Sequence, residues 1–202
     1  MLKVMIVGAG AIAPTHIEGF LRFPERARIT AIASPTVSRA DALVKKYGLE
    51  AETSSSFEDL LPRADAVAVC TPPATHRDIA AAALEEGKHV LLEKPMAMSL
   101  AECDDIIAAA ERGGGKLSVV AQSRFISSIS RAMQIIRGGE YGKVLFAQIN
   151  SLWWRGQNYY DLYWRGVWEH EGGGCTLNHA VHHIDLLVWA KGLPAEVSSF
   201  MA

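Results

Sequence analysis

The feature that most restricts how this chain can fold is an alternation that runs through its first half. Short apolar or β-branched runs at residues 3–7, 29–33, 66–70, 89–92 and 117–121 are separated by longer, alanine-rich stretches of helical period at 12–23, 38–47, 75–86 and 99–112. Strands joined through helices pair in parallel. Their unbroken apolar character means that both faces of the sheet are covered. The expectation is an α/β fold built on a doubly wound parallel sheet. Gly48, Gly87 and the run from Gly113 to Gly115 close the helical stretches, as glycine does where a helix ends in the left-handed conformation.

Past residue 121 the texture changes. A helix at 130–137 leads through Gly138 and Gly139 to a strand at 144–149 and then to a loop rich in tryptophan and tyrosine, from Trp153 to Trp168. After Gly172, Gly173 and Gly174 a helix extends to about Trp189, and Glu196 to Phe200 read as a strand that has barely begun. The expected organisation is a sheet domain over 1–122 followed by an incomplete C-terminal α+β domain over 123–202, carrying substrate contacts and subunit contacts. A half-built sheet leaves an open edge, so a homo-oligomer is expected.

Of the 202 residues, 50% are hydrophobic and 21% charged, enough apolar material for a core, and the net charge is -2. That balance gives no broad basic surface, so nucleic acid is not an expected partner. No uncharged run reaches membrane-spanning length. Cys70, Cys103 and Cys175 form no CxxC pair, which argues against a disulfide framework or structural zinc and for the reducing cytoplasm.

Directly after the first strand stands Gly8-Ala9-Gly10-Ala11-Ile12-Ala13, which fits G-x-G-x-x-G/A at the opening of a helix. Here the first glycine makes the turn, the second admits a pyrophosphate close to the backbone, and the last small residue lets helix and strand pack. Gly8, Gly10, Ala11 and Ile12 are the expected phosphate contacts of a Rossmann-type NAD(P) site. The second strand ends in Ala33-Ser34-Pro35-Thr36, without the carboxylate that usually accepts from the ribose diol of NAD. Ser34 and Arg39, with Thr36 and Ser38, could donate to a 2′-phosphate, so NADP is favoured over NAD. The same residues also fit helix capping.

Ligands of an open parallel sheet lie beyond the carboxyl ends of its strands. There the sequence reads Thr71-Pro72-Pro73-Ala74-Thr75-His76 and Glu93-Lys94-Pro95. With the glycine turn, Gly87-Lys88-His89, Gly172-Gly173-Gly174, His182 and Asp185, these segments in this order resemble the Gfo/Idh/MocA oxidoreductases. The resemblance implies an NAD(P)-dependent dehydrogenase moving hydride between nicotinamide and a secondary alcohol or ketone of a sugar, polyol or sugar derivative. It implies cofactor contacts from Thr71, Pro73, His76, Glu93 and Lys94, with Lys94 on the substrate hydroxyl and His182 as general base. Many members have Asp where this chain has Asn178.

Asn178, His182 and Asp185 follow at i, i+4 and i+7, which on a regular helix places them on one face toward one site. Trp164 and Arg165 fit a substrate loop, since an aromatic ring stacks on sugar C–H faces and Arg holds carboxylate or phosphate. Two alternatives stay open. One is a non-catalytic dinucleotide-binding or sensor protein of the same fold. The other is a zinc hydrolase drawing on His170, His179, His182 and His183; the expectation is that no metal is bound.

Overall fold

The computed structural model describes residues 1–200. Six parallel strands, β1 (Leu2–Val7), β2 (Ala27–Ala33), β3 (Glu52–Ser54), β4 (Ala66–Val69), β5 (His89–Leu92) and β6 (Leu117–Val119), form one sheet in the order β3-β2-β1-β4-β5-β6. Helices α1 (Ala13–Leu21), α2 (Val37–Tyr47), α3 (His76–Glu85) and α4 (Leu100–Gly113) make the crossovers. The order reverses between β1 and β4, and that switch point is where such a sheet opens a crevice at its carboxyl edge.

Side chains of β1 alternate between two cores, as the period of two requires. Val4 and Ile6 join Ile29, Ile32, Ala13 and Ile17 on the α1/α2 side. Met5 and Val7 join Val67, Val69, Leu84 and Ile106 on the α3/α4 side. Every one of these is buried, which accounts for the near-continuous apolar strand sequences; each large side chain contributes about 1.5–3 kcal/mol relative to exposure. The start of α4 is fixed by Ser99, whose side chain accepts from the Glu102 amide at 3.2 Å, while Glu102 Oε2 accepts from the Met98 amide at 2.9 Å. This capping pair pins the chain just downstream of Glu93-Lys94-Pro95.

The second half follows a short turn at Gln122–Phe125 with α5 (Ser127–Gly138), α6 (Gln157–Tyr160), α7 (Trp168–Glu171), a π-wound turn at Thr176–Ala180 and α8 (Val181–Lys191). The strands expected at 144–149 and 196–200 do not form; both segments are irregular. A strand exists through the partner that takes its N–H and C=O groups, and among the described residues no edge pairs with either segment. Conversely, β3 has no apolar pattern of its own: it is a short polar edge that pairs only with β2. No helix among the described residues is long and apolar enough to cross a membrane.

Candidate active site

The glycine turn lies at the carboxyl end of β1, at the switch point. Gly8 has φ +101°, and a Cβ there would stand 2.7 Å from the Cys70 carbonyl oxygen. Chain geometry alone therefore demands glycine at position 8. At Gly10 a Cβ would meet nothing within 4 Å. The fold does not need glycine there, whereas a phosphate approaching the backbone does. The amides of Ala9, Gly10, Ala11 and Ile12 find no acceptor among the described residues. They precede α1, whose first residue, Ala13, is fully buried against the sheet. Unpaired amides at a helix start form a ready anion site, so these residues fit a dinucleotide pyrophosphate.

At the end of β2, Ser34 is buried and its Oγ accepts from the Thr36 amide at 3.3 Å. Ser34 thus shapes the turn, while Arg39, one turn into α2, is exposed. Thr71 sits in the loop after β4, where its hydroxyl accepts from Thr75 at 2.8 Å. Pro73 and His76 lie beneath that loop. Both are buried, and His76 is 0% exposed. The His76 ring nitrogens lie 2.8 Å from the Pro95 carbonyl and 2.9 Å from the Thr71 carbonyl. His76 thereby clamps the two ligand-facing loops together. Burial holds its pKa below the ordinary value, against the pull of those carbonyls and of Glu93.

Glu93 and Lys94 follow β5. Glu93 Oε1 meets His16 Nε2 at 2.9 Å, and Oε2 accepts the Lys94 amide at 3.1 Å. Burial pushes the Glu93 carboxyl up, but the His16 ring, the Lys94 amide and the Lys94 ammonium together hold it below the usual carboxylate value. The Lys94 Nζ donates to the backbone carbonyl of Asn178 at 2.9 Å. Burial lowers its pKa; Arg165 adds to this, and Glu93 and Glu171 oppose it.

Asn178 enters through its carbonyl. Its side chain is buried and donates to the carbonyls of Glu171 at 2.9 Å and Gly174 at 3.4 Å. Because Thr176–Ala180 is π-wound, the i, i+4, i+7 phase is broken. Asp185 turns away to Arg124, in a two-pronged pair at 2.8 and 2.6 Å. The single shared face expected for Asn178, His182 and Asp185 is thus not formed. His182 stays on the site side: burial first, then the Lys94 and His183 charges, lowers its pKa, and Glu93 and Asp185 pull the other way. An imidazole kept unprotonated near neutral pH, within the field of a lysine ammonium, is suited to accept a proton.

The aromatic loop folds over this helix. Trp153 lies with its ring 6.3 Å from His182 and 6.0 Å from His179. The Arg165 guanidinium stacks 3.7 Å above Trp164 and pairs with the buried Glu171 at 2.9 Å; its Nε is buried without a partner among the described residues. Three residues escaped the sequence reading: His16, Glu171 and Tyr159, whose hydroxyl meets His179 Nε2 at 2.9 Å. His16 lies 77 positions from Glu93, and no periodicity links positions so far apart. His179 with Tyr159 and His183 with Ser151 at 3.1 Å have their ring nitrogens engaged by hydroxyls, and among the described residues no three His, Cys, Asp or Glu gather as a metal site.

A parallel sheet of this order, with open amides at its first turn, defines a Rossmann-type dinucleotide-binding fold. Residues 2–121 match the oxidoreductase family with an NAD-binding Rossmann fold, and residues 129–202 match the GFO/IDH/MocA C-terminal domain. The chain belongs to the Gfo/Idh/MocA oxidoreductase family. It is 38% identical over 146 residues to the 1-carboxy-3-chloro-3,4-dihydroxycyclohexa-1,5-diene dehydrogenase of Comamonas testosteroni, an alignment covering 69% of this chain and 35% of that protein. It is 27% identical over 191 residues to the inositol 2-dehydrogenase of Salmonella typhimurium, covering 93% and 54%. Among solved structures, the WlbA dehydrogenase of Bordetella pertussis in complex with NADH and UDP-GlcNAcA superposes with a TM-score of 0.88 at 32% identity, covering 95% of this chain and 55% of that one. The chain thus spans between about a third and about half of the length of these proteins.

Proposed function

We propose that residues 1–122 hold the cofactor and 123–202 the substrate of an NAD(P)-dependent dehydrogenase that interconverts a secondary alcohol and a ketone on a sugar, polyol or sugar derivative. The observation that carries this reading is the 2.9 Å bond from Lys94 Nζ to the Asn178 carbonyl. It brings the amine of the Glu93-Lys94-Pro95 loop to the segment that bears His182, on the side where the glycine turn opens. A nicotinamide dinucleotide held at Gly8, Gly10, Ala11 and Ile12 supplies the hydride acceptor. Lys94 donates to the carbinol oxygen and stabilises the negative charge growing there, and His182 takes the hydroxyl proton as the C–H bond breaks. The proton ends on the His182 imidazole, and a nicotinamide bound at the glycine turn would take up the hydride.

The substrate in this reading carries an anionic group, a carboxylate above all. Two guanidiniums stand in the aromatic loop, Arg155 over Trp153 and Arg165 over Trp164, and the name of the Comamonas relative's substrate includes a carboxy group. Trp164 and Arg165 serve this recognition. The missing carboxylate after β2 and the exposed Arg39 favour NADP(H). Arg39→Ala is then expected to weaken NADPH binding about tenfold with little effect on NADH, as read by fluorescence titration; equal effects on both would remove the preference.

Lys94→Met and His182→Gln are each expected to lower kcat by about 10²–10⁴-fold while the reduced-cofactor Kd stays within about threefold. Undiminished turnover in either variant would overturn the assignment of that residue. Cofactor binding without turnover across a panel of acidic sugars and polyols would instead assign a non-catalytic dinucleotide-binding role.

A further inference from the structure

The geometry points to His16 as a positioning residue that makes the placement of Lys94 depend on the helix that seats the dinucleotide. The inference rests on the dehydrogenase reading above. His16 is on α1, one turn past Ala13, so any movement of the glycine turn is carried to it by a rigid helix. Its Nε2 reaches over the carboxyl end of β4, between β1 and β5, to Glu93 Oε1 at 2.9 Å. The two side chains are only 10% and 11% exposed. The second Glu93 oxygen receives the Lys94 amide at 3.1 Å. One carboxylate therefore joins an imidazole on the cofactor helix to the main chain of the residue whose amine enters the site.

Among the described residues no other bond joins α1 to this loop. The remaining holds go elsewhere: His76 to the Pro95 carbonyl, the Glu93 amide to the Val69 carbonyl, Lys94 Nζ to the Asn178 carbonyl and the Met98 amide to Glu102. Water is largely excluded around the pair. Removing the ring leaves a buried carboxylate oxygen without its partner, a loss that the surrounding apolar packing cannot offset. Glu93 must then seek water, and its grip on the Lys94 amide loosens with it. Neither His16 nor Glu93 has to touch the substrate for this to set the rate.

The test compares the parent with His16→Ala and His16→Gln, the latter keeping a donor near the position of Nε2, with Glu93→Gln approaching the pair from the other side. The readout is amide hydrogen exchange with and without saturating NADH or NADPH. Without cofactor, residues 93–98 are expected to exchange roughly tenfold faster in His16→Ala and Glu93→Gln, and near the parent rate in His16→Gln. With cofactor, residues 8–13 are expected to be protected in every variant, and residues 93–98 protected in the parent and His16→Gln alone.

If His16→Ala leaves exchange at 93–98 unchanged, or if His16→Gln behaves like His16→Ala, this inference falls and the dehydrogenase reading stands. If neither cofactor protects 8–13 in the parent, the dehydrogenase reading falls and takes the inference with it. A kinetic companion separates positioning from general damage: kcat in His16→Ala is expected to drop at least tenfold with the cofactor KM within threefold, and His16→Gln to recover most of it.

Discussion

Two glycines in one turn are required for different reasons, and single substitutions separate them. At Gly8 a methyl group would press on the Cys70 carbonyl at a backbone angle that L-residues avoid. Gly8→Ala is expected to destabilise the fold by about 1–3 kcal/mol, measured by denaturant unfolding. At Gly10 the space is open, so Gly10→Ala is expected to leave the melting temperature within about a degree and to weaken the dinucleotide instead. A Gly10→Ala variant that melts early and still binds would reverse that reading. Cys70 itself offers no nucleophile, because burial, with Glu93 next, holds its thiol far above the ordinary value.

Among the elements, those with a full buried period are legible in the sequence. The strands of the inner sheet and the four crossover helices stand within a few residues of their expected limits, because Val, Ile and Ala at two- or 3.6-residue spacing leave few other ways to bury them. Elements that depend on a partner were not legible. Glu52-Thr53-Ser54 becomes a strand only because β2 offers an edge, and 144–149 remains irregular for want of one. Local rules also missed the π-wound turn at Thr176–Ala180, which breaks the phase connecting Asn178 to Asp185. Within the candidate site, Lys94 and His182 stand out by their motifs, whereas His16 and Tyr159 gain meaning only from contacts far along the chain and Glu171 only from its pairing with Arg165. Asp185 instead braces α8 on the turn at Gln122–Phe125 through Arg124. As the pair is partly solvated, Asp185→Asn is expected to cost only about 0.5–1 kcal/mol in thermal unfolding and to change kcat by less than about twofold.

For the molecule as a whole, one buried imidazole, His76, and two half-buried ones, His179 and His182, contribute to the response to acid. His76, His179 and His182 all have pKa values lowered, chiefly by burial. Folded, they stay neutral below the pH at which the unfolded chain takes up protons, near the ordinary value of 6.5. The unfolded state then binds more protons, so stability declines as pH falls through that value toward the lower folded ones. Glu93 acts in the same sense further down: its contribution is present above its ordinary value of 4.5 and is lost as pH drops through its lower folded value. The melting temperature at pH 5.5 is therefore expected to lie several degrees below that at pH 7.5, checked by calorimetry. A higher value at pH 5.5 would mean that these rings are charged in the folded chain.

The bond from Lys94 ends on a peptide oxygen, a group that every amino acid presents alike. A residue change at position 178 therefore leaves the acceptor for the amine in place, provided the turn keeps its path. Replacements on the later helix and the aromatic loop then leave this anchor of the Glu93-Lys94-Pro95 loop in place. The joint between the two halves is indifferent to the letters written on one side of it.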